Sequence, residues 1–263
     1  FFIFEMDALC SNNKIFDLTR YVDLHDDSKQ PGCFYIPPGV ANPLVYNGKV
    51  VGDILEGNSV NCETITLCPH GSCTHTECIG HITPEKSVVI PPPPIMNAYL
   101  ITIQPENGEL SKEYYPSYSS EDLIISKNRL SAVLSDKTSV EAVIIRTPIG
   151  SKDKNINFSG TNPPFLTPAA MEYLKDFGCR HLLVDLPSVD KENDGGFLAS
   201  HSVFFGLPGR DLDNPKGISD SNADISRKGC TITELCFIEE SIPDGEYYLN
   251  LQVSPLLLDA IPS

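Results

Sequence analysis

Three of the six histidines in this chain fall within one short segment. Side chains alternate along an extended strand, so His75 and Glu77 share a face there, and a turn at Gly80 returns His81 to the same place. Imidazole and carboxylate together suit Zn, Mn, Fe or Ni. The spacing predicts a metal site on His75, Glu77 and His81, the alternative being a chance cluster of surface histidines. The segment reads Cys68-Pro69-His70-Gly71-Ser72-Cys73-Thr74-His75-Thr76-Glu77-Cys78-Ile79-Gly80-His81.

The flanking sequence indicates strands and loops. Residues 62–67 alternate polar and apolar side chains, which predicts a half-buried strand running into the histidine segment. The pair Asn47-Gly48 between residues 44–46 and 49–51 predicts a hairpin with a type I′ turn. Residues 88–90, followed by four prolines, predict a strand that continues as a stiff extended segment.

The middle of the chain has an α/β pattern. Thr167 and Pro168 have the residue types of a helix start, and Gly178 has that of a helix end. Because this helix lies between two apolar runs, we expect a parallel crossover. Residues 206–228 are typical of a long loop, and residues 243–245 of a turn. The strand candidates are residues 15–18, 98–103, 141–146, 181–185, 231–238 and 246–253.

Charge and composition limit the classes of function. With 263 residues, a net charge of -16 and a pI near 4.6, the chain repels phosphate, so we expect neither nucleic acid nor an anionic membrane as partner. No apolar run approaches the roughly 18 residues of a membrane span. The apolar start, residues 1–4, lacks the basic flank of a signal peptide, although a processed leader stays open. We expect one cytoplasmic domain over residues 1–263.

Cysteines offer a second interpretation of the histidine segment. The nine cysteines are an odd number in a long chain, which favours reduced thiols over a disulfide framework. Cys68, Cys73 and Cys78 could form a structural zinc site with His70. Their five-residue spacing matches no common zinc finger, in which pairs are two to four residues apart. Buried, inert thiols are the simpler interpretation.

Blocks spread along the chain resemble the cyclase family of metal-dependent hydrolases, which includes bacterial arylformamidases (kynurenine formamidases) and isatin hydrolases. Residues 74–81 resemble its motif Gly-Thr-His-x-Asp-x-x-x-His, with Glu77 in place of Asp. The other blocks are Asp17-Leu18-Thr19, residues 185–190 followed by His201, Thr233-Glu234-Leu235, and residues 259–263.

This resemblance implies an α/β fold of the swivelling β/β/α type, with a mixed β-barrel-like core and flanking helices. It implies that His75, Glu77 and His81 are ligands, that Glu77 bridges two metals, and that His201 and Glu234 serve the second. His201 is then either a ligand or the proton shuttle in catalysis. One or two divalent ions per chain, Zn or Mn, a small-molecule amide substrate and a homo-oligomer, a dimer or larger, are further implications.

One departure from the family motif affects the predicted site. Gly71 stands at the position where the family has a histidine four residues before the central one. A related subgroup has two histidines before the central one; this chain keeps the first as His70 but has Ser72 and Cys73 in place of the second and the glycine after it. His70 lies on the opposite face of a regular strand, so a turn at Gly71 is needed. Metal could be held by His70, Cys73 could replace an imidazole, or the site could be degraded.

The sequence therefore leaves two functions open. One is an arylformamidase-like amide hydrolase; the alternative is a catalytically degraded relative that acts as a binding or structural protein. Apolar walls for an aromatic substrate could come from residues 34–36 and from Phe204 and Phe205, or these could be core residues.

Overall fold

The computed structural model describes residues 2–5, 14–111, 113–116, 119–209 and 219–263. The helices of at least one α-turn are α1 (Pro69–Ser72), α2 (Gly108–Ser111), α3 (Lys127–Leu134), α4 (Pro168–Asp176) and α5 (Ala199–Phe204). The strands are β1 (Phe2–Glu5), β2 (Ile15–Asp17), β3 (Val40–Pro43), β4 (Val45–Tyr46), β5 (Lys49–Val50), β6 (Glu63–Thr66), β7 (His75–Glu77), β8 (Met96–Thr102), β9 (Glu106–Asn107), β10 (Leu123–Ile125), β11 (Ala142–Arg146), β12 (Phe165–Leu166), β13 (His181–Val184), β14 (Thr231–Glu234), β15 (Gly245–Asn250) and β16 (Ala260–Pro262).

The largest sheet in the described part of the chain is a mixed β-sheet. Its nine strands run in the order β16-β7-β14-β13-β11-β8-β15-β1-β2. The central strands β8, β11, β13 and β14 are parallel, and the strands on both sides of them pair antiparallel. The sheet curls into half of a barrel, with few helices around it. The predicted α/β class with a barrel-like core is confirmed.

Apolar side chains cover both faces of this sheet. Along β13, Leu182 and Val184 pack in the cluster that contains Leu174 of α4, whereas Leu183 packs in the cluster on the opposite face with Ile144. Strand geometry causes this split, because successive side chains point to opposite faces. Both β11 and β13 are buried along their whole length, as parallel strands between two layers are.

Residues 40–66 form two small sheets away from the main one. The β4–β5 hairpin is confirmed, and both Asn47 and Gly48 have positive φ, as a type I′ turn requires. Strand β6 pairs with β3, but all four of its residues are exposed. The predicted half-burial of residues 62–67 is therefore wrong, because alternation reports burial only where another layer covers one face.

Other local predictions have mixed outcomes. Helix α4 begins after Thr167, whose side chain accepts from Ala170 N, and Gly178 has φ +98, so both predicted ends are confirmed. Residues 88–90 form no strand; Val89 N donates to the Leu258 carbonyl instead. Strand β14 stops at Glu234, shorter than predicted, because Leu235 is left-handed at φ +55.

Three further predictions concern a loop, membrane-spanning segments and the number of domains. The predicted loop 206–228 contains short 3-10 turns at Asp220–Asn222 and Ile225–Arg227, and residues 210–218 lie outside the described residues. No helix among the described residues is both long and apolar enough to cross a membrane. A single domain over residues 1–263 stays a prediction.

Candidate metal centre

Strand β7 carries the centre of the predicted site. It lies between β14 and β16, and all three of its residues are buried. His75 pairs in register with Glu234, and His75 Nε2 lies 3.5 Å from Glu234 Oε2. The other oxygen of that carboxylate accepts from Val189 N at 2.9 Å. His75, Glu77 and Glu234 thus form one buried group whose ligand atoms lie within 4.8 Å of each other.

His81 returns to Glu77 through a single 3-10 turn, Ile79–His81. Its Nε2 lies 3.8 Å from Glu77 Oε2. Gly80 packs so closely on the backbone of Ser87 that an added Cβ would overlap the Ser87 carbonyl oxygen. The turn at Gly80 is where the sequence predicts it, and only glycine fits there.

His70 reaches the site from the one-turn helix α1. Its Nδ1 lies 3.4 Å from Glu77 Oε2, and His70, Glu77 and His81 form the second group of converging ligand atoms. The required turn is present: Gly71 packs on Ile36, whose Cβ would lie 2.5 Å from a Cβ added to this glycine.

Neither residue that departs from the family motif joins these groups. Ser72 Oγ donates to the Pro37 carbonyl at 3.5 Å. The Cys73 thiol donates to the Pro69 carbonyl, and burial raises the pKa of this thiol to about 12. Of the three outcomes left open by the sequence, the geometry favours His70 as the extra imidazole.

His201 enters from helix α5, far away in sequence. Its Nε2 lies 2.7 Å from Glu77 Oε1, and its Nδ1 lies 2.6 Å from Asp190 Oδ2. Asp190 also accepts the backbone N–H groups of Ser200 and His201 and the hydroxyl of Tyr115. The imidazole is therefore fixed between two buried carboxylates.

The electrostatics set the protonation of the cluster. Burial opposes charge on Glu77, yet the imidazoles of His81 and His201 hold its pKa well below the usual range. Burial and the neighbouring His75 and His81 lower the pKa of His70 to about 4, which keeps this imidazole neutral at pH 7. Burial also opposes the charged form of His201, but Glu77 and Asp190 raise its pKa well above normal.

Two buried atoms of the cluster lack a hydrogen bond, His75 Nε2 and Glu77 Oε2. His75 Nδ1 donates to the Cys73 carbonyl at 3.0 Å, so Nε2 is the nitrogen left for a ligand. Unpaired polar atoms in a protein interior are costly. His75 belongs to one converging group and Glu77 to both, and imidazole nitrogen with carboxylate oxygen is a donor set for Zn or Mn. The residues therefore fit a divalent metal.

The structure does not support a zinc site on the cysteines. The Cys78 thiol donates to the Ser87 carbonyl, in a cluster with Val89 and Ile261. Among the described residues, the two groups with metal-ligand spacing contain only histidine and glutamate.

Of the two interpretations of the candidate wall residues, the structure supports core packing for most of them. Phe204 and Phe205 are completely buried in the core cluster beside α4, because α5 packs on α4. Ile36 lies under Gly71, and Phe34 packs in the cluster of Phe158 and Leu235.

Sequence comparison adds one decisive finding. The family model described as "Putative cyclase" matches residues 16–191, about two thirds of the chain. The chain belongs to the Cyclase family. No curated protein sequence is significantly similar to it.

Solved structures share the Cyclase fold at low sequence identity. A potential metal-dependent hydrolase with cyclase activity has 15% identity and a TM-score of 0.59, with 95% of each chain covered. A predicted metal-dependent hydrolase from Bacillus stearothermophilus has 15% identity and a TM-score of 0.60, with 96% of each chain covered. Isatin hydrolase A from Labrenzia aggregata, bound to benzyl benzoate, has 14% identity and a TM-score of 0.54, covering 95% of this chain and 93% of that one.

Two acidic residues of this Cyclase-family site have no predicted role in the sequence analysis. Asp190 contacts His201, and Asp259 Oδ2 lies 3.8 Å from His70 Nε2 and 3.7 Å from His81 Nδ1. Both fall in blocks that resemble the family. That resemblance is the only signal in the sequence that could have singled them out.

Proposed function

We propose that this Cyclase-family chain is a metal-dependent hydrolase that cleaves the C–N bond of a small amide, either an aryl formamide or a cyclic amide. The observation that carries the proposal is the pair of converging groups that share Glu77, in which Glu77 Oε2 and His75 Nε2 are buried and lack a hydrogen bond. Structural neighbours named isatin hydrolase support the amide class, since isatin is a cyclic amide.

Zn or Mn, one or two ions per chain, is the proposed cofactor. Bound metal supplies a Lewis acid that polarises the carbonyl and lowers the pKa of water towards roughly 7. Glu77 is the residue common to both groups and therefore the proposed bridge. The proposed ligands are His70, His75, Glu77, His81, His201 and Glu234.

The histidines differ in their access to solvent. The side chains of His70 and His81 are 22% and 28% exposed, whereas those of His75 and His201 are almost completely buried. We therefore place substrate entry on the side of His70 and His81. Water adds to the carbonyl carbon, the C–N bond breaks, and the departing nitrogen takes a proton. His201, oriented by Asp190, is either a ligand or the donor of that proton.

Substitution of the central strand tests this function. His75→Ala and Glu77→Ala are each expected to lose bound metal and hydrolysis of an aryl formamide and of isatin. His25→Ala is the matched control, because this histidine is 63% exposed and pairs with Glu63 on the surface. Unchanged metal content in both site variants would rule out the proposal.

A catalytically degraded relative that acts as a binding or structural protein is the second candidate. The substitutions at Ser72 and Cys73 favour it, because the related subgroup has a histidine and a glycine there. Metal analysis with an activity assay separates the two: bound Zn or Mn with amide hydrolysis supports the enzyme, and bound metal without turnover supports the relative. A cytoplasmic homo-oligomer stays part of the proposal.

A further inference from the structure

Two of the four site histidines have an outer acceptor that orients the ring. His75 donates from Nδ1 to the Cys73 carbonyl, and His201 Nδ1 lies against Asp190. In both rings the opposite nitrogen, Nε2, faces the carboxylates of Glu77 or Glu234. An outer acceptor of this kind fixes which ring nitrogen carries hydrogen and leaves the other free for a metal.

His70 and His81 share one outer carboxylate. Their inner nitrogens, Nδ1 of His70 and Nε2 of His81, face Glu77 Oε2 at 3.4 and 3.8 Å. Their outer nitrogens, Nε2 of His70 and Nδ1 of His81, face Asp259 Oδ2 at 3.8 and 3.7 Å. The two rings are 4.2 Å apart and tilted by 34°, so they lie between Glu77 on one side and Asp259 on the other.

The backbone around Asp259 is anchored to the site itself. Cys78 N donates to the Asp259 carbonyl at 3.0 Å, and the next residue, Ala260, pairs with Glu77 in the β7–β16 ladder. Val89 N holds the preceding residue, Leu258, by its carbonyl at 2.9 Å. The Asp259 carboxylate is therefore placed by the same strand that carries Glu77.

We infer that Asp259 is a positioning residue that orients both solvent-side imidazoles, His70 and His81, for one metal ion. Distances of 3.7 and 3.8 Å exceed a direct hydrogen bond, so the carboxylate acts by its charge or through one bridging water. It holds hydrogen on the outer nitrogens and leaves the inner pair for the ion. This inference rests on the proposed metal site, and it adds a residue that acts through His70 and His81 and is not itself a metal ligand.

Zinc affinity is the first test. Zn²⁺ is titrated into the metal-free chain against a chromophoric chelator, for wild type, Asp259→Ala, Asp259→Asn and Glu240→Gln. Loss of an outer-shell carboxylate typically costs about 10- to 100-fold in metal affinity, and we expect this for Asp259→Ala. Asp259→Asn keeps an acceptor oxygen and is expected to lose less. Glu240 is an exposed acid, and its variant controls for net charge.

Imidazole NMR is the second test, because a merely structural role would not change it. In the metal-free wild type, ¹⁵N shifts are expected to show hydrogen on Nε2 of His70 and on Nδ1 of His81. In Asp259→Ala these two rings are expected to lose their single tautomer. His75 keeps its tautomer, since its Nδ1 donates to the Cys73 carbonyl.

The outcomes separate this inference from the proposed function. If wild type binds zinc and Asp259→Ala binds it with equal affinity, the role of Asp259 is refuted and the metal site stands. If wild type binds neither zinc nor manganese, the proposed function fails and this inference fails with it.

Discussion

His201 and Glu77 are 124 residues apart in the chain, yet His201 Nε2 lies 2.7 Å from Glu77 Oε1. Both side chains are almost fully buried, one on α5 and the other on β7. Asp190 holds the far side of the imidazole, and Tyr115 in turn donates to Asp190. This chain of contacts joins the proposed metal site to the loop after β13.

Asp190→Asn is expected to weaken metal binding by about 10- to 100-fold, because the outer carboxylate of His201 is lost. The NH2 group of the introduced side chain also faces N–H donors that the carboxylate accepts in wild type. This lowers the free energy of unfolding by about 1–3 kcal/mol. Zinc titration and thermal unfolding measure the two effects. Tyr115→Phe removes one contact to Asp190 and should weaken binding less, and Glu172→Gln, on the surface of α4, should be neutral. Equal affinity in Asp190→Asn and wild type would contradict this role.

Metal removal is expected to destabilise the protein. An ion that binds only the folded state adds about 2.7 kcal/mol when its free concentration is 100 times Kd. Excess chelator should therefore lower the Tm of wild type. Glu77→Gln should abolish the difference between the Tm values with and without metal, because Glu77 belongs to both groups. A Tm of wild type that does not respond to chelator would argue against a resident ion.

Gly80→Ala is expected to displace the turn that carries His81. The added methyl group would overlap the Ser87 backbone, and overpacking of this kind costs about 1–3 kcal/mol. We expect a lower unfolding free energy and weaker zinc binding. Gly209→Ala is the matched control, since an added Cβ there meets nothing within 4 Å. Equal behaviour of the two variants would show that the turn tolerates a side chain.

Cys73→Ala tests whether this thiol has replaced a ligand. Its thiol donates to the Pro69 carbonyl, and Cys73 belongs to neither group of converging ligand atoms. We expect unchanged zinc stoichiometry and affinity, with a loss of stability from the small cavity. A marked fall in affinity would instead show that Cys73 ligates the ion.

His181 is expected to make stability fall in mild acid. Burial, then Arg180 and Arg227, lower its folded pKa to about 4 from 6.5. Between these values the unfolded chain binds more protons, so stability is full above pH 6.5 and is lost as the pH falls towards 4. The loss is about 3 kcal/mol. His181→Asn retains a hydrogen-bond partner for Thr231. Denaturant unfolding of the metal-free variant should show an unfolding free energy that changes less with pH in this range than that of wild type. Parallel stability curves would contradict this assignment.

The sequence predicts the local geometry of the candidate site well. Alternation alone places His75 and Glu77 on one face, and a single glycine explains the return of His81. His70 is different, because α1 is a four-residue helix that no hydrophobic period reveals. Its position follows from Gly71 packing on Ile36, which is a tertiary contact.

Outer contacts and apolar walls could not be predicted for the same reason. Asp190 and Asp259 act on histidines that only the folded sheet brings near them. Phe204 and Phe205 follow a site histidine in sequence, yet a helix points successive side chains in different directions, and these two pack in the core. Likewise, β6 does alternate polar and apolar side chains. The sequence alone does not reveal that both faces of this strand are left uncovered by the rest of the described fold.

Few carboxylate oxygens of this site are free of other contacts. Val189 N occupies Glu234 Oε1, and His201 lies against Glu77 Oε1, so each glutamate offers one remaining oxygen. Ca²⁺ requires six to eight oxygen ligands, and Mg²⁺ a near-ideal octahedron of them. We therefore expect a pocket with four imidazoles and so few open oxygens to bind Zn²⁺ or Mn²⁺ in preference to the abundant alkaline-earth ions of the cell, before any difference in ionic radius matters.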